Sequence, residues 1–141
     1  MPTRPRITTI LPCTNLASAT CFFLRLGFNA PSKDEMNEWD QYLMLDHPNG
    51  SEIHLREIGP DEEGWLEPHK NSFGIYVYSE DVEALAMEFA NEIIEQGKKP
   101  EIKEWGLLEF SLNGPDGCLV RVGWPVGDIE MGKRKVGEKS E

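Results

Sequence analysis

At 141 residues, with 39% hydrophobic and 9% aromatic side chains, the chain is long enough for one domain-sized core and too apolar for a disordered segment. Its net charge is −11, and residues 125–141 carry as many acidic as basic side chains, so the whole excess falls in residues 1–124; such a field disfavours nucleic acid and anionic membranes and suits cationic ligands, although solubility alone also accounts for it. No apolar run approaches the roughly 20 residues of a membrane span, and no signal-peptide stretch follows Arg4 and Arg6, so a cytoplasmic protein with no membrane partner is expected.

In chain order, residues 7–13 read as a strand. Asn15 then caps a helix over 16–26, with Ala19, Phe22, Phe23 and Leu26 at helical spacing, and Gly27 ends it. Residues 28–31 are a short strand or turn, followed by a polar loop from Pro31 to Asn37. Trp39 to Asp46 and Glu52 to Ile58 form a hairpin about Pro48-Asn49-Gly50. Residues 59–71, with Gly59, Pro60, Gly64, Pro68 and the acidic run Asp61-Glu62-Glu63, read as a linker. Phe73 to Tyr78 is the next strand. Val82, Leu85, Ala86, Phe89 and Ile93 then predict a helix over 81–96, capped by Gly97. Strands follow at 100–104, 107–113 and 118–124, and the tail from Pro125 has no periodicity. Cys13, Cys21 and Cys118 have no metal-like spacing and are expected as buried, reduced thiols. His47 and His69, in turn and linker contexts, are expected at the solvated surface.

Two markers recur at nearly one interval. Pro48-Asn49-Gly50 and Pro115-Asp116-Gly117 lie 67 residues apart, and the helix heads Asn15 and Asp81 lie 66 apart. The recurrence predicts a duplicated β-α-β-β-β unit. Alternate residues of a strand leave opposite faces, so each long strand has an apolar face for the helices and a polar-aromatic face. The second face either meets water or, on a curved sheet, gathers Glu52, His54, Arg56, Tyr76, Tyr78, Glu109 and Arg121 into one cavity.

Residues 6–124 resemble the vicinal oxygen chelate superfamily, which includes glyoxalases, extradiol dioxygenases and bleomycin resistance proteins. The resemblance is carried by the opening Leu11-Pro12-Cys13-Thr14-Asn15-Leu16-Ala17-Ser18 and the helix exit Leu26-Gly27-Phe28. The second helix start Glu80-Asp81-Val82-Glu83-Ala84-Leu85 and the turn Gly114-Pro115-Asp116-Gly117 complete it. It implies an α+β fold of two β-α-β-β-β modules forming a curved mixed sheet in an arm-exchanged homodimer. The modules would span 1–58 and 72–124, with the exchange arm at 59–71 and the tail at 125–141. Family enzymes hold a divalent metal at four cavity-facing strand positions. Carried over, these are Thr8, His54, Gly74 (or Phe73) and Arg121. Only His54 is a good ligand, and Arg121 is a fixed cation, so no metal, no cofactor and no catalytic residue are expected.

The stretch Glu104-Trp105-Gly106, leading through residues 107–113 into Gly114-Pro115-Asp116-Gly117, is similar to bleomycin resistance proteins, and Pro12 fits them as well. That likeness implies a non-catalytic protein that sequesters a cationic, aromatic glycopeptide antibiotic of the bleomycin type in dimer-interface crevices. Trp39, Trp105 and Trp65 are the candidate stacking residues, with locking the dimer as the alternative role of Trp65 in its acidic linker. Glu52, His54, Arg56, Tyr76, Tyr78, Glu109 and Arg121 are the candidate lining. The alternatives are a metal-dependent glyoxalase-like lyase, isomerase or dioxygenase, and a binder of another endogenous small molecule.

Overall fold

The computed structural model describes residues 6–31, 41–59, 68 and 74–127. Trp39, Trp65, Phe73, His69, the loop at 32–37, nearly all of the exchange arm and the tail beyond Gly127 lie outside the described residues. The chain divides into two compact units, Met1–Ser72 and Phe73–Glu141.

The first unit runs β1 (Thr9–Cys13), α1 (Leu16–Arg25), β2 (Tyr42–Asp46) and β3 (Glu52–Glu57). Its sheet has the order β1-β3-β2, parallel between β1 and β3 and antiparallel between β3 and β2. Asn15 caps α1 as expected, its side chain accepting from the Ser18 amide at 2.9 Å, while Glu57 accepts from the Leu16 amide at 2.8 Å. At the other end Gly27, at φ +101°, lets the Gly27 and Phe28 amides turn back to the Leu24 and Phe23 carbonyls. Ala19, Phe23 and Leu26 are buried, and α1 packs on β3. Ile53 and Leu55 point into this core, and Glu52, His54 and Arg56 point to the other face.

The second unit runs β4 (Gly74–Tyr78), α2 (Val82–Phe89), β5 (Glu101–Ile102), β6 (Leu107–Asn113) and β7 (Leu119–Pro125). Its sheet has the order β4-β7-β6-β5, with β4 parallel to β7 and the other pairs antiparallel. Val82, Ala86 and Phe89 are buried, and α2 packs on β6 and β7.

The duplication is visible in hydrogen bonds. In the first hairpin the His47 amide meets the Ser51 carbonyl and the Gly50 amide meets the His47 carbonyl. In the second, the Gly114 amide meets the Cys118 carbonyl and the Gly117 amide the Gly114 carbonyl, the same pattern 67 residues on. The ladders correspond as well: Thr9 opposite Ile53 becomes Ile75 opposite Val120. This register aligns Thr8 with Gly74 and His54 with Arg121.

Three expectations need correction. The second helix stops at Phe89, not at residue 96. Ala90 takes φ +27°, a 3-10 turn follows over Ala90–Glu92, and Ile93 then bridges Leu112 of β6. Sheet pairing has taken the residues that the helical period claimed. Asp81 stands at the helix head as expected, without a capping side-chain bond. Cys21 is exposed, whereas Cys13 and Cys118 are buried, and all three are free thiols. His47 is half-buried rather than solvated: its Nδ1 accepts from the Asn49 amide at 3.1 Å, and its ring packs edge-on to Phe28.

Candidate functional site

The seven expected lining residues fall into two groups, one on each unit's sheet. Glu52, His54 and Arg56 come from β3. Tyr76 and Tyr78 come from β4, Glu109 from β6 and Arg121 from β7.

In the first unit, Glu52 Oε1 accepts from the Thr8 hydroxyl at 3.1 Å, lies 3.6 Å from His54 Nε2 and 3.9 Å from an Arg6 nitrogen. His54 Nδ1 lies 2.7 Å from the Tyr42 hydroxyl. Burial raises the Tyr42 pKa against the opposing pull of the Arg56 charge, so the phenol keeps its proton and is able to donate to Nδ1. Arg56 donates to the Glu57 carbonyl at 2.9 Å. Gln41, Tyr42, Met44 and Arg56 line an open hollow of about 460 Å³. Tyr42 and Met44 belong to this face, and the alternation used on the other strands would have found them in residues 42–46.

The second unit's group is tighter. Tyr78, Gly123 and Glu109 lie abreast on β4, β7 and β6, and Tyr76, Arg121 and Ser111 form the next row. Glu109 is fully buried (0% exposed). Its Oε1 accepts from the Tyr76 hydroxyl at 2.8 Å and from Trp105 Nε1 at 3.0 Å. Its Oε2 faces Arg121 Nε at 3.6 Å. Arg121 also lies over Trp105, with Cζ 5.8 Å from the ring centre. Burial first, then the bond and charge of Glu109, push the Tyr76 phenol well above its ordinary range.

Gly123 makes this cluster possible. A Cβ there would collide with the Tyr76 hydroxyl and press on Glu109 Cβ and the Leu108 carbonyl. Trp105 and Tyr78 remain 56% and 55% exposed. Trp105 is therefore held by its N–H while much of its surface stays open, and Tyr78 packs against Tyr76 with ring centres 4.7 Å apart. Such rings offer stacking surface to a planar guest.

The positions to which the resemblance assigns metal ligands hold a hydroxyl and one imidazole in the first unit, and no side chain and a guanidinium in the second. Thr8 donates to Glu52, and the two His54 nitrogens face Tyr42 and Glu52. Among the described residues no three His, Cys, Asp or Glu side chains come together. These donors do not fit a hard or borderline divalent ion, which needs several anionic or imidazole ligands in one closed geometry.

A second, largely enclosed carboxylate, Glu95, with its side chain 8% exposed, escaped the sequence reading. Glu95 accepts from the Ser111 amide at 2.7 Å and the Ser111 hydroxyl at 3.0 Å, and lies 3.2 Å from Lys103 Nζ. Its residue sits in the stretch read as helix, so nothing in the local pattern signalled it.

No family model matches the chain, and no curated protein does. Solved structures do. A bleomycin resistance determinant encoded on the transposon Tn5 is 21% identical, with a TM-score of 0.62 over 86% of this chain and 98% of that one. A bleomycin-binding protein complexed with bleomycin is 22% identical, with a TM-score of 0.61 over 86% and 98%. A glyoxalase/bleomycin resistance protein/dioxygenase from Nocardioides is 15% identical, with a TM-score of 0.61 over 89% and 87%. The chain has the α+β fold of these proteins, the fold that the resemblance implied.

Proposed function

We propose that this protein belongs to the vicinal oxygen chelate superfamily and is a non-catalytic binding protein. As a homodimer, it sequesters a cationic aromatic glycopeptide of the bleomycin type. The observation that carries this reading is the pair of half-open aromatic surfaces, Trp105 and Tyr78, beside the buried Glu109. Planar rings stack on such surfaces, and the net charge of −11 draws a basic ligand toward the molecule. The bleomycin resistance determinant and the bleomycin-binding protein among the neighbours support the choice of guest. The donor sets on both sheets speak against a metal-dependent lyase, isomerase or dioxygenase.

The test is calorimetric titration with metal-free bleomycin. Binding is expected, weaker at high salt because part of the attraction is screened. Trp105→Ala should weaken it about tenfold, the scale of a lost aromatic contact. Absent binding, or binding indifferent to Trp105→Ala, would overturn the reading.

A further inference from the structure

The ion pair at the centre of the second unit leaves part of each group unspent. Glu109 Oε2 and Arg121 Nε are both buried, stand 3.6 Å apart and have no hydrogen-bond partner among the described residues, while Oε1 takes two donors. A buried charged atom without a hydrogen bond is costly. The side chain of Arg121 is 42% exposed, and among the described residues no acceptor takes its terminal nitrogens. The guanidinium is thus positioned on one edge by Glu109 and on one face by Trp105, with its outer fork unpaired among the described residues.

We propose that this fork is the receptor for an oxyanion, a carboxylate or a group of like geometry, carried on a planar ring that stacks at Trp105 or Tyr78. A guanidinium matches a carboxylate with two parallel N–H donors, which an ammonium does not. Glu109 limits its swing, so less freedom is lost when the anion docks. The remote acidic charge opposes an anion only weakly, because it is screened within about 8 Å at physiological salt, whereas Arg121 acts at contact. This inference rests on the second unit's surface being a binding site, as proposed above. It does not rest on the antibiotic as the guest: it adds a class of ligand with an acidic group beside its ring, distinct from the cationic guest named above.

The experiment titrates the full chain with 2-naphthoate and with 2-naphthamidine, which share a ring and differ in charge. The wild type should bind the naphthoate about tenfold more tightly, a single charge-assisted pair. Arg121→Lys keeps the cation but not the fork and should lose most of that preference. Arg121→Gln should abolish it, and a melting curve reports whether that variant still folds; if it does not, Arg121→Lys decides. Tighter binding of the amidine, no naphthoate binding, or wild-type naphthoate affinity in Arg121→Lys would overturn the proposal. Bleomycin binding without naphthoate binding sinks this inference alone. Naphthoate binding without bleomycin binding sinks the antibiotic reading alone.

Discussion

Gly123 shows how one missing side chain sets the chemistry around it. It lies between Tyr78 and Glu109 in the sheet, and the Tyr76 hydroxyl crosses the space a Cβ would fill. Gly123→Ala should therefore push Tyr76 off Glu109 and cost about 1–3 kcal/mol, as overpacking does, read as a lower urea midpoint. Tyr76 and Cys118 also predict the alkaline limit. The Tyr76 phenol titrates well above its ordinary value, and burial pushes the Cys118 thiol up to about 11. As pH rises, the unfolded chain loses these protons first, so the folded state binds more protons and stability falls. The loss should begin near pH 9 with Cys118 and steepen above pH 10 with Tyr76. Tyr76→Phe should flatten the steeper part in urea melts across that range, and an unchanged profile would contradict the assignment.

At the scale of elements, the instructive segment is residues 89–95. The period of Val82, Ala86, Phe89 and Ile93 is helical, and all four are buried, yet the helix ends at Phe89. The Ile94 amide bonds the Ser111 carbonyl, and Glu95 takes the Ser111 amide and hydroxyl. The chain thus exchanges helical hydrogen bonds for a fastening to β6. Burial alone would raise the Glu95 pKa, but Ser111 and Lys103 outweigh it and hold the carboxyl below its ordinary value. As pH falls the unfolded chain takes the proton first, so this stabilisation is present above about pH 4.5 and is lost as pH drops through the folded value. Glu95→Gln should cost about 1–3 kcal/mol at neutral pH, the range for a weakened buried bond, and should make the acid transition shallower. Ala90, at φ +27° and ψ −103°, is the residue where the turn is made. Ala90→Gly should stabilise by about 1 kcal/mol, relieved strain outweighing the added chain entropy, and a lower thermal midpoint would refute that.

At the scale of the whole molecule, β1 and β4 are each an edge of their own sheet. An edge strand that stays uncovered invites pairing with another chain, which is the physical case for the homodimer proposed above. Sedimentation at micromolar concentration should give twice the mass of the 16.0 kDa chain, and a monomer there would remove the dimer from the proposal. Much of the architecture was legible in the chain because it is written at short range. Asn15 and Gly27 fix the ends of α1, two turns fix two hairpins, and alternation fixes which face each strand buries. The candidate site was legible only as a set of faces. That Glu109 would be fully buried, that His47 would brace a hairpin against Phe28, and that Tyr42 would join His54 each depended on residues brought in from elsewhere.

The amino-acid order by itself determined the repeat, the sheet parity and the acidic balance, since each is a matter of period or count along the chain. Tertiary structure alone decided where α2 stops, which carboxylates lose their water and which part of Arg121 stays open. Those outcomes depend on partners distant along the chain, Ile93 with Leu112, Glu95 with Ser111, and Tyr76 with Glu109, and no local pattern carries the energy of a contact made across the sheet.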